Sequence, residues 1–176
     1  GCIWLHCDNA LHRIEFNDKG EVQILSTLSP VYLNGPDIAL KDIDEDGKIW
    51  MGNNGEIRKV ALSPQKRLIT IPIADCLKFE TGTYISDFLC KENEVWISSD
   101  RGLFRYNKSG NVIKRYEHDS GNSYSLSQNY LTSLAITSDK QLIVATLRGI
   151  NIYNPMTDNF ERIACDLPNG GTNLLN

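Results

Sequence analysis

The chain has 176 residues, 41% of them apolar, and a net charge of -4 from 18 basic and 22 acidic side chains. That is enough chain to bury a core, and it leaves no Lys/Arg-rich face of the kind nucleic-acid binding needs. No apolar run approaches the roughly 18 residues of a membrane helix, and His6, Asp8, His12, Arg13 and Glu15 break any signal-peptide pattern near the start.

In chain order the first apolar stretch is Ile3-Trp4-Leu5, and it returns as Ile49-Trp50-Met51, Val95-Trp96-Ile97 and Leu142-Ile143-Val144, at steps of 46, 46 and 47 residues. Eight residues after each anchor come Leu11, Ile57, Leu103 and Ile150, and three beyond those Ile14, Val60, Tyr106 and Tyr153. Chance would fill these five columns with apolar residues on the order of once in ten million trials, so the chain is a repeat array. The units run over about 1–47, 48–93, 94–140 and 141–176.

Each unit holds four short apolar stretches divided by turn chemistry, A to D, the spacing of consecutive antiparallel strands. In the last unit they are Leu131 to Ile136, Leu142 to Thr146, Gly149 to Tyr153 and Phe160 to Ile163. Asp46-Gly47, Glu92-Asn93 and Asp139-Lys140 join A to B, and Asp18-Lys19-Gly20, Ser63-Pro64, Ser109-Gly110 and Asn154-Pro155 join C to D. Strand B is apolar at consecutive positions, so both of its faces must be covered. Four-stranded units of this length with doubly covered central strands describe β-propeller blades, so the expected fold is all-β, a segment of about four blades. The chain opens on strand B, and the next strand A would fall just past Asn176. Fifteen strands are therefore expected, with the innermost strand of the first unit lacking, as in a piece of a larger propeller. Its uncovered faces favour a homodimer or further blades as partners.

The third unit, Glu94-Val-Trp-Ile-Ser-Ser-Asp-Arg-Gly-Leu-Phe-Arg-Tyr106, followed by Tyr116-Glu-His-Asp119, Ser125-Leu-Ser-Gln-Asn129 and Leu131-Thr-Ser-Leu134, resembles the two-component regulator propeller repeat. Arg148-Gly-Ile-Asn-Ile-Tyr-Asn-Pro155 and Asp46-Gly-Lys-Ile-Trp-Met-Gly52 match it too, while Glu56 stands where the repeat has Gly, Ile143 replaces Trp, and Ser98 and Ala145 stand at the place of Gly52. The resemblance implies an extracytoplasmic, periplasmic sensor propeller of a hybrid two-component protein. In that family, membrane-anchored propellers precede a histidine kinase and many proteins respond to oligosaccharides. The remaining blades and the kinase domains of the parent are then partners, and phosphotransfer lies outside these residues. A structural or protein-binding scaffold, and a propeller lyase or glycosidase, are the other two readings.

Asp42-Ile-Asp-Glu-Asp46-Gly47 opens like a calcium loop, but Asn53 stands where the bidentate Glu belongs, so the segment reads as an A to B hairpin. His6, His12 and His118 lack partners at metal spacing, and Cys2, Cys7, Cys76, Cys90 and Cys165 contain no CxxC and read as buried thiols. No cofactor, metal or catalytic residue is expected, for want of GxSxG, a P-loop or a recurrent carboxylate pair. Trp4, Trp50 and Trp96 read as core.

In an A-B-C-D meander the B to C and D to A links emerge on one face. That face carries Asn53, Asn54, Asp100, Arg101 and Arg148 from B to C links, and His118, Asp119, Asn122, Tyr124, Asn129 and Tyr130 from the long link after strand D. Tyrosine rings and hydrogen-bonding Asn, Asp, His and Arg suit a polyhydroxylated ligand. Asn54, Asp100, Arg101, His118, Tyr124, Asn129, Tyr130 and Arg148 are the ligand-binding candidates.

Overall fold

A computed structural model of the chain describes residues 2–7, 10–28, 39–43, 47–53, 56–65, 67–71, 79–80, 82–107 and 111–163. Among the described residues there are fifteen strands and no helix. They are β1 Cys2–Cys7, β2 Ala10–Phe16, β3 Val22–Leu28, β4 Ala39–Ile43, β5 Ile49–Asn53, β6 Glu56–Leu62, β7 Leu68–Ile71 and β8 Ile85–Lys91. The rest are β9 Glu94–Ser99, β10 Gly102–Asn107, β11 Val112–Tyr116, β12 Leu131–Ile136, β13 Leu142–Thr146, β14 Gly149–Asn154 and β15 Asn159–Ile163.

Four antiparallel sheets follow in chain order: β1-β2-β3, β4 to β7, β8 to β11 and β12 to β15. The A-B-C-D meander expected from the repeat is the observed one, with three strands in the first sheet. In the last unit strands A and B have the expected bounds, while C runs on to Asn154 and D starts at Asn159.

One packing rule joins the sheets. The Trp and Leu columns of each sheet form a trailing face, which meets the Ile/Met/Val/Tyr columns on the leading face of the next. Trp4 and Leu11 of the first sheet pack with Ile49, Met51 and Val60 of the second. Trp50 and Ile57 of the second pack with Val95, Ile97 and Tyr106 of the third. Trp96 and Leu103 of the third pack with Leu142, Val144 and Tyr153 of the fourth. Trp50 and Trp96 are buried core residues as expected, and Trp4 is half-buried.

Each tryptophan also has a cation directly across the ladder. Trp4 pairs with Arg13, Trp50 with Lys59 and Trp96 with Arg105. The charged groups lie 5.8, 4.5 and 5.1 Å from the ring centroids. Such contacts contribute about 0.5–1 kcal/mol when exposed and more when desolvated. In the fourth sheet both members change together, to Ile143 opposite Ile152.

The first strands of neighbouring sheets, β4, β8 and β12, lie beside one another. Each is irregular near its start, where the register shifts between Leu40 and Asp42, Ile85 and Asp87, and Leu131 and Ser133. The shift frees the Asp87 carboxylate to reach across to β12, where it accepts the Ser133 hydroxyl at 3.0 Å and the Leu134 N–H at 2.9 Å. A side chain thus joins two strands whose backbones belong to different sheets.

The A to B hairpins share a left-handed residue two places before strand B, namely Gly47, Glu92 and Lys140, with φ of 71°, 54° and 69°. Asp44, Glu45 and Asp46 of the calcium-like segment lie outside the described residues; Ile43 and Ile49 on either side pair in register. The thiols differ from expectation. Cys2 and Cys7 are exposed, and Cys90 is half-buried. Cys76 and Cys165 lie outside the described residues.

Gly102 shows why strand C of the third sheet opens on glycine. Its φ is 110°, and a Cβ there would stand 2.4 Å from the Tyr116 carbonyl oxygen. Gly20 has a φ of 77° but open space around it. Replacing Gly102 with Ala should therefore cost about 2–4 kcal/mol in urea unfolding, while Gly20→Ala costs about 1 kcal/mol. Equal losses would contradict the clash.

Candidate functional site

The B to C turns and the D to A links do meet on one face, through backbone hydrogen bonds. Asp100 N–H donates to Tyr84 O at 3.0 Å, Gly102 N–H to Asn129 O at 2.9 Å, and Leu147 N–H to Tyr130 O at 3.2 Å. In the third and fourth sheets this turn is closed by a hydroxyl at the end of strand B. Ser99 Oγ donates to Gly102 O and accepts from Arg101 N–H, and Thr146 Oγ1 does the same with Gly149 O and Arg148 N–H.

The link from 117 to 130 is a built element. Leu126 is fully buried in the core between the third and fourth sheets, flanked by buried Ser125 and Ser127. Asn151, also fully buried, accepts the Ser127 N–H at 2.8 Å and donates to Ser127 Oγ at 3.0 Å and Val144 O at 3.2 Å. Ser127 Oγ passes the chain on to Thr146 Oγ1 at 2.9 Å, so no polar atom of this circuit is left unpaired. From strand β15, Arg162 ties down the other half: Nε donates to Ser125 O at 3.0 Å, and Nη2 lies within reach of Asn122 O and Leu126 O, each at 3.1 Å. The Ser-Leu-Ser-x-Asn motif is therefore structural.

This wiring sorts the ligand candidates. His118 gives its N–H to Asn129 Oδ1 at 2.6 Å, and its ring Nδ1 lies 2.7 Å from Leu126 O. A carbonyl only accepts, so Nδ1 carries the proton. The Asp100 carboxylate accepts the Tyr84 N–H at 3.0 Å, and Arg101 forms an ion pair with Glu80. These four side chains are engaged within the protein. Tyr124, Tyr130 and Arg148 instead have exposed side chains with no partner among the described residues, and Asn54 lies outside them. Tyr84 was not among the candidates. It is exposed at the same column as Tyr130, 46 residues earlier, immediately before strand A. Tyr84, Tyr130, Leu147 and Arg148 thus make an exposed apolar and cationic strip on the turn face.

The opposite end of the same two sheets is electrostatically tighter. Arg105 is bidentate to Glu94, at 2.9 and 2.5 Å, and reaches Tyr153 Oη at 3.3 Å. Tyr116 and Tyr153 both donate to Asp158 Oδ1, at 2.5 and 2.6 Å, and Lys114 holds Oδ2 at 2.5 Å. The bond to Glu94 raises the Arg105 pKa despite burial. Burial first, then the carboxylate they serve, raise Tyr116 and Tyr153 above the ordinary phenol range. For Asp158 burial opposes ionisation, but hydrogen bonds from Lys114, Tyr116 and Tyr153 outweigh it and bring the carboxyl down to about 2. Nearby is a hollow of about 450 Å³ lined by Lys91, Lys140, Gln141, Leu142, Ile152 and Glu161 among others. Among the described residues no three His, Cys, Asp or Glu side chains are arranged to hold a metal.

No family model and no curated protein matches the chain. Solved structures do. The extracellular domain described as part of the hybrid two component system BT3049 of B. thetaiotaomicron is similar at 23% identity and a TM-score of 0.56, over 93% of this chain and 21% of that one. The corresponding domain of BT4673 from the same organism gives 16% identity and a TM-score of 0.60, over 93% and 23%. Virginiamycin B lyase from Staphylococcus aureus gives 16% identity and a TM-score of 0.61, over 96% and 54%. The fold is that of a β-propeller segment. This propeller segment spans about a fifth of each extracellular domain and about half of the lyase.

The Asp158 cluster makes a pH prediction. Its carboxyl titrates near 2 when folded against an ordinary 3.8, so its contribution is complete above about 4 and is lost as pH falls toward 2. Asn tolerates the left-handed backbone of this position, where φ is 53°. Asp158→Asn should therefore unfold at lower urea than the wild type at neutral pH, with the gap closing in strong acid. A gap independent of pH would contradict the assignment.

Proposed function

We propose that this chain is part of the extracytoplasmic, periplasmic sensor propeller of a hybrid two-component system, and that it takes an oligosaccharide on the face carrying Tyr84, Tyr130 and Arg148. The observation that carries the reading is the repeated exposed tyrosine at the mouth of two adjacent sheets, beside an Arg148 guanidinium with no partner among the described residues. A phenol ring offers an apolar platform to a sugar face, and a free guanidinium donates to hydroxyls or carboxylates. The likeness to extracellular domains of two hybrid two-component systems supports the sensing role.

Signalling requires a ligand that binds one arrangement of the sheets better than another. The link of 117 to 130 supplies the coupling. It carries Tyr124 and Tyr130 and is fastened to the third sheet through Asn129 and Gly102, and to the fourth through Asn151 and Arg162. A ligand pulling on these tyrosines acts on the junction between the two sheets. The kinase that reads the change belongs to the rest of the parent protein.

The likeness to virginiamycin B lyase favours a second reading, as an enzyme. A histidine-to-alanine variant of that lyase is described as catalytically inactive, so a histidine matters there. Here His12 contacts Thr27 and His118 contacts Leu126 O and Asn129. Neither has a carboxylate partner among the contacts, so sensing is the better supported reading.

Calorimetric titration against a panel of neutral and acidic oligosaccharides tests it. Tyr130→Ala and Arg148→Ala should each weaken binding about tenfold, or about 1.4 kcal/mol, without lowering the melting temperature. Binding that neither variant alters, or no glycan binding by the wild type, would sink the proposal.

A further inference from the structure

Two neighbouring amides of the link, Gln128 and Asn129, turn their oxygens inward. Asn129 Oδ1 accepts the His118 N–H at 2.6 Å, and Gln128 Oε1 is buried with no hydrogen-bond partner. A buried carbonyl oxygen left without a donor is costly, so its retention calls for a reason outside packing. The orientation decides what the two side chains show to solvent. Trp96 Nε1 and Gln128 Oε1 are the buried unpaired side-chain atoms among the described residues. The amide nitrogens of Gln128 and Asn129, which make no hydrogen bond there, are therefore open to solvent as donors.

Their place is fixed from both sides. Ser127 N–H is held by Asn151 Oδ1 at 2.8 Å, Gly102 N–H donates to Asn129 O at 2.9 Å, and Leu147 N–H donates to Tyr130 O at 3.2 Å. Gln128 thus sits where the B to C turns of the third and fourth sheets meet, over a junction packed within the chain. Charge along the strip points the same way. Glu80 is engaged by Arg101, Glu117 by Arg115, and the Asp100 carboxylate accepts the Tyr84 N–H. Arg148 has no partner among the described residues. What the fold leaves over beside Tyr130 is two amide donors and a guanidinium.

This set selects among sugars. A neutral polyol brings donors and acceptors in equal number, whereas a carboxylate or sulfate only accepts. Hydrogen bonds to an ionised acceptor are also the stronger kind, and a guanidinium fork fits such anions. We propose that the oligosaccharide taken on this face is acidic, its carboxylate or sulfate held by Gln128 Nε2, Asn129 Nδ2 and Arg148 beside the Tyr130 ring. This rests on the reading of the face as a glycan site and adds the class of sugar.

The test is calorimetric titration of the full chain with matched pairs: uronate-bearing oligosaccharides against their methyl esters, and sulfated ones against their desulfated counterparts. In one series the charged member should bind at least about tenfold tighter than its neutral partner, and that series identifies the anion. Gln128→Glu and Asn129→Asp each exchange an outward donor for an acceptor, and Asn129→Asp keeps the oxygen that accepts the His118 N–H. Each should weaken the charged sugar about tenfold or more and leave the neutral partner within about twofold. Loss of both sugars alike would mark a purely structural role and overturn the inference. Equal binding of charged and neutral sugars by the wild type overturns it while leaving the glycan site standing, whereas no glycan binding at all removes both. A preference for the charged sugar that survives both variants also overturns it, since the anion then sits elsewhere.

Discussion

The structure depends on the contact between one sheet's Trp/Leu column and the next sheet's doubly spaced apolar column. A single antiparallel sheet of short strands cannot hide both faces of its second strand, so each sheet needs a neighbour on either side. The contact is repeated three times with changing side chains, from Met51 and Val60 to Ile97 and Tyr106 to Val144 and Tyr153. What stays constant is register. The cation opposite each tryptophan covers its ring from the same sheet, and where the tryptophan becomes Ile143 the cation becomes Ile152.

Polar groups then lock what apolar packing brings together. Between the third and fourth sheets there are three such locks: Asp87 near the inner strands, the Ser127, Thr146 and Asn151 circuit under the turn face, and the Asp158 cluster at the opposite end. Each joins residues more than twelve positions apart. Placing locks at both ends of one interface resists both sliding and hinging. The face left free of them, with Tyr84, Tyr130 and Arg148, is where the protein keeps exposed groups that its own fold does not employ.

Strand order and core were legible in the sequence because the repeat converts a local pattern into a tertiary one. Once Trp50 and Trp96 share a column, their neighbours inherit a sheet face. The candidate site was legible only in part. Asn, Asp and His in a loop look alike whether they bond inward or face solvent, and His118 and Asn129 bond to each other. Arg162 carried no signal, since its acceptors are carbonyls about forty residues away that only folding assembles. Tyr84 was within reach by stepping back 46 residues from Tyr130, but the link before it lacks the third unit's motif. The exposed thiols Cys2 and Cys7 escaped for a different reason, because composition does not say which positions of a strand are covered.

Mapping amide chemical-shift changes on the labelled chain during titration with the tightest-binding oligosaccharide tests the central claim most directly, since it locates the ligand without altering a residue. Changes concentrated at Tyr84, Tyr130, Leu147 and Arg148, spreading along the link to Asn129 and Gly102, are the predicted result. Changes centred on the hollow between Lys91 and Glu161 at the opposite end, with the turn face silent, would contradict it.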